Sequence, residues 1–451
     1  MSFNRRQFLT LPLMAATSSG QNSRVDAKKP NVILLLADDL GTSDVAYRGG
    51  EIDTPNIDRL AKEGLQLERY YVFPVCSPTR SALMTGRSPM RFGVIYTVIR
   101  PWETYGVPVE EHFLPQTFKD AGYETAMTGK WHLGHAKKAF LPNQRGFDHS
   151  YGHVNGALDY FEHYRDGGLD WHRDGKALVE KGYTTDLVAK EASRLIRTRD
   201  KSKPLFLYVP FNAPHAPLQA PPELIEKYSK RIANEKRRTF AAMVDAMDRA
   251  IGQIRKTVQE EGMANDTLIL FFSDNGGPIG QAATNVPLRG GKAQTFEGGI
   301  RSPGILHWPG KVPVGESKQI MTVMDVFPTL AAAVGIKTGN RKPFDGKNVW
   351  STLLTGKTDP REDLFFAHGG FHAVFHNEWK LVTQDDKKYL FRHNEDREEK
   401  FDLAAKHPDV VKDLSARIDT WKKLHPADGV KPGDAAPKGW KAPESYIDAA
   451  K

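Results

Sequence analysis

The sequence predicts an α/β sandwich with a large, mostly parallel central sheet, followed by a small antiparallel sheet with one helix. Three observations lead to this prediction: continuous apolar runs of strand length, amphipathic segments between them, and a change of pattern near residue 363. Continuous apolar runs are typical of strands that are covered by helices on both faces. The chain of 451 residues is long enough for one large domain and a smaller one.

The first and last of the predicted central strands end in polar pairs. Asp38 and Asp39 follow the first apolar run, and Asp274 and Asn275 follow the last. Because ligands of parallel sheets gather beyond the carboxyl ends of the strands, we expect the two pairs to meet although they are far apart in the chain. The apolar runs are residues 31–37, 124–128, 205–209 and 267–273.

Apolar residues recur with helical spacing between these runs. The predicted helices are residues 57–63, 114–121, 184–199 and 237–260. Short apolar–polar alternations over residues 365–401 predict the antiparallel sheet, and an amphipathic helix is expected at 408–423. The residues after 425, which are rich in Pro, Gly, Lys and Ala, are expected to lie on the surface or to be disordered.

The chain divides into an export signal, a main domain, a C-terminal subdomain and a tail. The four parts are residues 1–27, 28–362, 363–425 and 426–451. Arg5 and Arg6, followed by Gln-Phe-Leu and a short apolar stretch, resemble a twin-arginine export motif. An ordinary secretory signal and a frayed basic terminus are the alternatives. We therefore expect a periplasmic or secreted protein, with no later apolar run of membrane-spanning length.

The chain is basic, with a formal charge of +8 and a pI of about 9.2. This balance favours polyanionic partners, either nucleic acid or sulfated glycan. However, the lysines and arginines are mixed with acidic residues and form no basic helix, which argues against nucleic acid. A generally basic, solvated surface explains the charge equally well.

Cys76 is the single cysteine, so no intramolecular disulfide is possible. It stands just before a predicted helix, with Pro78 near the first turn, where a missing N–H costs little. The positive end of the helix favours an anion there, and Arg80 can face the same ligand one turn later. The pattern predicts an anion pocket beside a cysteine, without distinguishing a thiolate nucleophile from a modified residue.

Residues 76–80, Cys-Ser-Pro-Thr-Arg, continue into Leu-Met-Thr-Gly-Arg at 83–87. This stretch resembles the sulfatase signature, Cys-x-Pro-x-Arg followed by Leu-x-Thr-Gly-Arg. In that family the cysteine is oxidised to formylglycine, whose hydrated aldehyde is the nucleophile. The resemblance implies an alkaline-phosphatase-like fold, a sulfatase catalytic domain over residues 28–362 and maturation by a formylglycine-generating enzyme.

The resemblance also covers the strand-end pairs. Asp38, Asp39, Asp274 and Asn275 match the metal ligands of the family, which residue 76 completes. Four hard oxygen donors suit a divalent cation, and the resemblance implies calcium. Each pair alone is equally typical of a strand-end turn or a helix cap.

Three further blocks match the family: Gly-Lys-Trp-His-Leu-Gly at 129–134, Asn-Ala-Pro-His at 212–215 and Pro-Leu-Arg-Gly-Gly-Lys at 287–292. The resemblance implies that Arg80, Lys130 and Lys292 hold the sulfate. It further implies that His215 protonates the leaving alcohol and that His132 takes a proton from residue 76 as sulfate leaves. Without the resemblance, the second histidine and the last lysine would be ordinary loop residues.

Within the family the chain most resembles arylsulfatase B, the N-acetylgalactosamine-4-sulfatase, through residues 141–148, 159–161 and 285–292. This implies a substrate of the sulfated galactose or N-acetylgalactosamine type. The region 151–171 is rich in His, Tyr, Asp and Trp, and an aromatic loop packed over the core is the alternative to a sugar subsite. The candidate sugar-binding residues are His153, Asp159, Tyr160 and His163.

Two other functions are compatible with parts of the pattern. A phosphoester or phosphonate hydrolase of the same superfamily would share the pocket chemistry. A glycan-binding relative without activity would keep the fold. The complete set of catalytic residues favours the sulfatase over both.

Overall fold

The computed structural model of the protein describes Met1 and residues 29–339, 341–430 and 435–451. Apart from Met1, the predicted export signal at residues 1–27 lies outside the described residues. In the described part of the chain, no helix is both long and apolar enough to cross a membrane.

The main domain is an α/β sandwich, as the sequence predicts. Its strands are β1 (Asn31–Ala37), β2 (Leu65–Leu67), β3 (Tyr70–Tyr71), β4 (Glu124–Lys130), β5 (His149–His153), β6 (Tyr164–Arg165), β7 (Gly168–Leu169), β8 (His172–Arg173), β9 (Lys176–Ala177), β10 (Leu205–Pro210), β11 (Thr267–Ser273), β12 (Gly304–His307), β13 (Gly315–Ser317) and β14 (Met321–Thr322). Its helices are α1 (Pro55–Glu63), α2 (Cys76–Thr85), α3 (Leu114–Asp120), α4 (Thr184–Thr198), α5 (Pro222–Lys227), α6 (Glu235–Glu260), α7 (Glu297–Ile300), α8 (Val326–Ala333) and α9 (Trp350–Thr355).

The central sheet has the order β13-β2-β12-β11-β1-β10-β4-β5-β8-β9 among the described residues. The run from β11 through β1, β10 and β4 to β5 is parallel, whereas β12 joins β11 antiparallel. The four predicted apolar runs are β1, β4, β10 and β11, so the fold prediction is confirmed at the centre of the sheet.

The two faces of β1 explain why its apolar run is continuous. Val32, Leu34 and Leu36 pack into a core with residues of α2, α3 and α8. Ile33 and Leu35 point the other way, into a second core with residues of α1, α4 and α6. Because side chains alternate along a strand, a strand buried on both faces needs apolar residues at every position.

The C-terminal subdomain is the predicted antiparallel sheet with one helix: β15 (Leu364–His368), β16 (Phe371–His376), β17 (Trp379–Gln384), β18 (Lys387–Arg392) and α10 (Pro408–Lys422). Leu414 and Ile418 of α10 pack on one face of the sheet. The other face packs Ala373, Val382 and Phe391 against Phe296 of the main domain. The subdomain is thus anchored close to the segment that carries Lys292.

The end of the chain packs on the main domain, where the sequence predicts a tail that lies on the surface or is disordered. Tyr446 and Ile447 are buried against Leu141 and Val154. The backbone N–H of Tyr446 donates to the Leu169 carbonyl at 3.0 Å, and the N–H of Lys451 donates to Ala136 at 3.1 Å. Composition did not reveal these contacts, because prolines, glycines and lysines surround the few apolar residues that make them.

Glu191 of α4 ties this helix to the edge of the sheet. Its carboxylate binds Arg194 of the same helix at 2.7 Å and His149 of β5 at 2.8 Å, and the side chain is 5% exposed. Burial on its own raises the pKa of Glu191, but the hydrogen bonds from Arg194 and His149 outweigh it and lower the pKa to about 2.

Replacing Glu191 with glutamine is expected to lower the free energy of unfolding by about 1–3 kcal/mol at pH 7. Because the pKa of Glu191 is lower in the folded protein than its ordinary value of 4.5, the carboxylate stabilises the fold at pH values above 4.5. This stabilisation is lost as the pH falls from 4.5 towards about 2. The difference between the parent and Glu191→Gln in urea unfolding should therefore shrink across that window. The exposed Glu260→Gln is the control, and a difference independent of pH would contradict the assignment.

Candidate active site

Adjacent parallel strands bring the two polar pairs together. β1 and β11 run in register, with Ala37 opposite Ser273, so the residues that follow them leave the sheet at the same level. The Asn275 amide donates to Asp39 at 2.7 Å, and the backbone N–H of Asp39 donates to Asp274 at 3.4 Å. The four side chains, Asp38, Asp39, Asp274 and Asn275, are fully buried.

Cys76 begins α2 and lies against both pairs. Its Sγ is 3.4 Å from Asp38 Oδ1 and 3.5 Å from Asn275 Oδ1. The residue is 2% exposed, and it precedes the free N–H groups at the start of the helix. Burial, followed by the Asp274 and Asp38 carboxylates, raises the pKa of the Cys76 thiol well above its ordinary value. An unmodified Cys76 is therefore a neutral thiol and a weak nucleophile.

Three cations surround these carboxylates. Arg80 binds Asp274 Oδ2 through Nη2 at 2.8 Å and Nε at 3.0 Å. The Lys130 ammonium binds the Asp38 carboxylate, and Lys292 Nζ lies 2.6 Å from Asp39 Oδ1. Three positive charges thus accompany three buried carboxylates, as burial of charged groups requires. We call Asp38, Asp39, Asp274, Asn275, Arg80, Lys130 and Lys292 the charged cluster.

The charged cluster shifts the pKa values of its members in different directions. Burial raises the pKa of Asp39, but Lys292 and His215 outweigh it and bring the pKa to about 2. The pKa of Asp274 is raised by burial and by the neighbouring Asp38. Asp38 and Asp274 therefore repel each other next to residue 76, and Arg80, which lies 3.4 Å from Asp38 and 2.8 Å from Asp274, offsets this repulsion.

Two histidines border the cluster. His132 has a positive φ of 61°, and its Nε2 is 3.0 Å from the Ile99 carbonyl oxygen. His215 follows β10, and its Nε2 lies 3.6 Å from Asp39 Oδ2. Burial and then Lys130 lower the pKa of His132, while burial and Lys292 lower that of His215 to about 3. Both imidazoles are consequently neutral and able to accept protons.

A cavity of about 520 Å³ adjoins the cluster. Cys76, His132, His215 and Lys292 contribute to its lining, so four of the predicted catalytic residues face one space. Arg80 and Lys130 are fully buried and bind the carboxylates next to it. A ligand bound in the cavity next to residue 76 would contact the N-terminus of α2, Lys292 and the two histidines.

Residues 30–336 match the protein-family model described as Sulfatase. The chain belongs to the sulfatase family. Arylsulfatase J of Mus musculus is 33% identical over 88% of this chain and 76% of the relative. N-acetylgalactosamine-6-sulfatase of Rattus norvegicus is 33% identical over 83% of this chain and 75% of the relative.

Solved structures agree with this assignment. Ps i-CgsB superimposes with a TM-score of 0.83 and 34% identity, over 88% of the sulfatase chain described here and 94% of that chain. The structure of Ps i-CgsB in complex with k-i-k-neocarrahexaose also has a TM-score of 0.83. It is 32% identical and covers 92% of this chain and 95% of that chain. Phosphonate monoester hydrolase of Agrobacterium radiobacter, 19% identical with a TM-score of 0.63, shares the fold alone. The family and fold predictions are confirmed, and the protein is a sulfuric ester hydrolase.

The four residues predicted to bind sugar do not line the cavity of the sulfatase. The His163 ring stacks on Trp171 at 4.7 Å, with Nε2 2.9 Å from the Gly182 carbonyl oxygen. His153 is 1% exposed, and its ring is nearly parallel to that of Trp171, with the ring centroids 6.5 Å apart. Both histidines are therefore part of the core around this tryptophan.

The other two candidates support neighbouring loops. The Tyr160 hydroxyl donates to the carbonyls of Asn212 and His215, both at 2.8 Å, and so fixes the loop that carries His215. Asp159 accepts from the backbone N–H groups of Phe161 and Glu162 at 2.9 and 2.8 Å. These contacts match the alternative stated above, an aromatic region packed on the core, and the sugar subsite at these four residues stays a prediction.

Several cavity-lining residues were missed by sequence reasoning. They lie outside the matched motifs, in the loop after α2, in a short hairpin, just after Lys292 and in the C-terminal subdomain. The residues are Thr97, Val98, Arg100, Trp102, Arg165, Gln294 and His368. All but Val98 are polar or aromatic, which was the one hint of a role in the sequence, because tertiary packing brings them to the cavity.

The oxygen-bearing residues of the cluster suit a hard divalent cation. Ligand atoms of Asp38, Asp39, Cys76 and His215 lie within 4.8 Å of one another. Carboxylate and amide oxygens are the ligands that calcium prefers, and Asn275 Oδ1 points at the same sulfur as Asp38 Oδ1. The residues present therefore fit the calcium that the family resemblance implies.

Proposed function

We propose that this sulfatase removes sulfate from a galactose- or N-acetylgalactosamine-type saccharide, with a formylglycine at position 76 as nucleophile and calcium as cofactor. The observation that carries the proposal is the position of Cys76 Sγ, 3.4 Å from Asp38 and 3.5 Å from Asn275. The substrate class is supported by a relative named for N-acetylgalactosamine and by a similar structure bound to neocarrahexaose.

Asp38, Asp39, Asp274 and Asn275 would hold the calcium ion. When bound, calcium supplies positive charge that neutralises sulfate oxygens and makes a hydroxyl at residue 76 easier to deprotonate. The buried carboxylates are already paired with Arg80, Lys130 and Lys292, so a doubly charged cation and a sulfate ester enter the cluster together without leaving a large net charge.

Side chains of the charged cluster and the two histidines would bind the sulfate group and transfer the protons. Arg80, Lys130 and Lys292 hold and neutralise the sulfate group as charge develops on it. His215 faces the cavity beside Lys292 and protonates the leaving alcohol, because the negative charge of the bound ester raises the pKa of this imidazole. His132, kept neutral by burial, accepts a proton from residue 76 in the step that releases sulfate.

Maturation must come before folding is complete. Residue 76 is 2% exposed, so an oxidising enzyme cannot reach it in the folded chain. A formylglycine-generating enzyme would therefore act on the unfolded chain, and twin-arginine export would then carry the folded, oxidised protein to the periplasm or the medium.

Removal of calcium is expected to abolish activity and to destabilise the protein. At a calcium concentration about 100-fold above its dissociation constant, the ion contributes about 2.7 kcal/mol to the free energy of unfolding. Dialysis against EGTA should lower both turnover of an aryl sulfate and the melting temperature, and calcium should restore both. Full activity after complete chelation, verified by metal analysis, would refute the metal assignment.

The function is tested by comparing rates on aryl sulfate and aryl phosphate, followed by a panel of defined sulfated oligosaccharides. We expect sulfate release to be faster by at least about tenfold, with galactose-type sulfates preferred over glucosamine-type ones. Faster phosphate turnover would favour the phosphoester or phosphonate hydrolase. Binding of sulfated saccharides without any turnover would favour a glycan-binding relative.

A further inference from the structure

The described residues that line the cavity have an unusual charge distribution. They include cationic side chains and histidines, but no aspartate or glutamate. The carboxylates of the charged cluster lie behind Cys76 and Lys292, outside the lining. The ionisable lining residues are Cys76, Arg100, His132, Arg165, His215, Lys292 and His368.

Arg100 and Arg165 are distinct from the cations that serve the scissile sulfate. Arg80, Lys130 and Lys292 are each bonded to a carboxylate of the charged cluster. Arg100 and Arg165 lie on other segments of the cavity lining, and Arg165 pairs with Asp166 at 3.0 Å. The cavity lining therefore holds two guanidinium groups in addition to the Lys292 ammonium.

The loop that carries Arg100 is fixed relative to residue 76. The backbone N–H of Ile99 donates to Ser77 Oγ at 3.1 Å, and the Ile99 carbonyl lies 3.0 Å from His132 Nε2. The Arg100 guanidinium lies over the Trp102 ring at 5.7 Å. Arg100 is thus held by its neighbours at a set distance from the reacting centre, as a specificity contact requires.

Arg165 is held by a different part of the fold. It lies in β6, which pairs with β7. Leu169 of β7 accepts a hydrogen bond from Tyr446 at 3.0 Å and donates to Glu444 at 2.9 Å, so the end of the chain braces this hairpin. The Arg165 side chain is 32% exposed, which leaves it within reach of a ligand that enters the cavity.

We infer that the cavity binds a saccharide that carries a second anionic group, and that Arg100 and Arg165 bind that group. The inference rests on the proposed function, and it narrows the substrate from sulfated sugars in general to multiply anionic ones. A guanidinium is the side chain best suited to sulfate and carboxylate, because it donates parallel hydrogen bonds to two oxygens. The second anion is either another sulfate or the carboxylate of a uronic acid.

The test compares substrates with one and two negative groups. The substrates are 4-nitrophenyl sulfate, a monosulfated galactose-type oligosaccharide, its disulfated counterpart and a monosulfated oligosaccharide with a neighbouring uronate. For Arg100→Gln and Arg165→Gln, kcat/KM on a doubly charged saccharide should fall at least about tenfold more than kcat/KM on 4-nitrophenyl sulfate. The decrease in kcat/KM should come mainly from a higher KM. Arg100→Lys and Arg165→Lys should retain part of the kcat/KM that the glutamine variants lose.

Arg197→Gln is the matched control, since Arg197 is a half-exposed arginine of α4 that pairs with Glu260 away from the cavity. The disulfated and uronate substrates identify the source of the second anion. Equal losses on singly and doubly charged saccharides would overturn the inference, because they would indicate contacts to hydroxyls. Equal losses on the aryl sulfate would indicate a structural role and overturn it as well.

A failure of the proposed function is recognised separately. It would appear as no sulfate release from any of the four substrates by the parent enzyme. The dissociation constants of the disulfated and monosulfated saccharides, measured by calorimetry with the parent and with Arg100→Gln, then decide the inference on their own. Tighter binding of the disulfated saccharide that Arg100→Gln abolishes supports it, and equal binding refutes it.

Discussion

Replacement of Cys76 with alanine is expected to lower kcat for sulfate ester hydrolysis by about 10⁴-fold or more, as removal of a covalent nucleophile does. The Cys76 side chain contacts both Asp38 and Asn275, and alanine cannot be converted to an aldehyde. The measurement is release of 4-nitrophenol from 4-nitrophenyl sulfate at saturating calcium.

The matched control is Ser81→Ala on the same helix. The Ser81 hydroxyl is buried and donates to the Pro78 carbonyl at 2.8 Å, so its loss perturbs α2 without touching the cavity. Activity should stay within a few-fold of the parent, and both variants should melt within a few degrees of it. Retention of more than about one-tenth of the parent activity by Cys76→Ala would exclude residue 76 as the nucleophile.

Replacement of Lys380 with methionine is expected to lower the free energy of unfolding by about 3–5 kcal/mol, because it removes the ammonium that binds the buried carboxylates of Glu399 and Glu297. Lys380 of β17 is fully buried, with Nζ 2.9 Å from Glu297 and 2.7 Å from Glu399. Glu297 begins α7, just after the segment that carries Lys292. Urea unfolding followed by tryptophan fluorescence measures the effect.

Two variants separate the charge effect from a packing effect. Lys388→Met on the neighbouring β18 removes an exposed ammonium that donates to Ser415, and it should lower the free energy of unfolding by less than about 1 kcal/mol. Adding Glu399→Gln to Lys380→Met should recover much of the loss, since Glu297 keeps its partners Arg301 and Tyr71. A loss below about 1 kcal/mol for Lys380→Met would show that the buried charges are compensated elsewhere.

The centre of the sheet could be predicted because its strands are buried on both faces. β1 and β11 are unbroken apolar runs, and their registered ends explain why Asp38 and Asp274 meet. The strands beyond β4 in the sheet were missed because they contain no apolar run. β5 reads His-Ser-Tyr-Gly-His, and β8 and β9 span two residues each, so neither apolar pattern nor length distinguishes them from loops.

The residues of the charged cluster could be predicted from the sequence, whereas many other residues of the cavity could not. The cluster could be predicted because its residues stand in contiguous motifs and at strand ends. Arg100, Arg165 and His368 stand in no motif, and they reach the cavity only through the packing of a loop, a hairpin and the C-terminal subdomain. Composition also does not reveal which way a side chain points: His153 and His163 both stack on the buried Trp171, a contact that the sequence pattern did not predict.

The central claim is that an oxidised residue 76, set among the carboxylates and cations of the charged cluster, is the nucleophile. Trypsin cleaves after Arg69 and Arg80, so mass spectrometry of the peptide at 70–80 reports directly on this residue. We expect a mass about 18 Da below that of the cysteine form, and a modified fraction that rises in proportion to specific activity across preparations. Full activity in a preparation whose peptide holds only the unmodified thiol would contradict the claim.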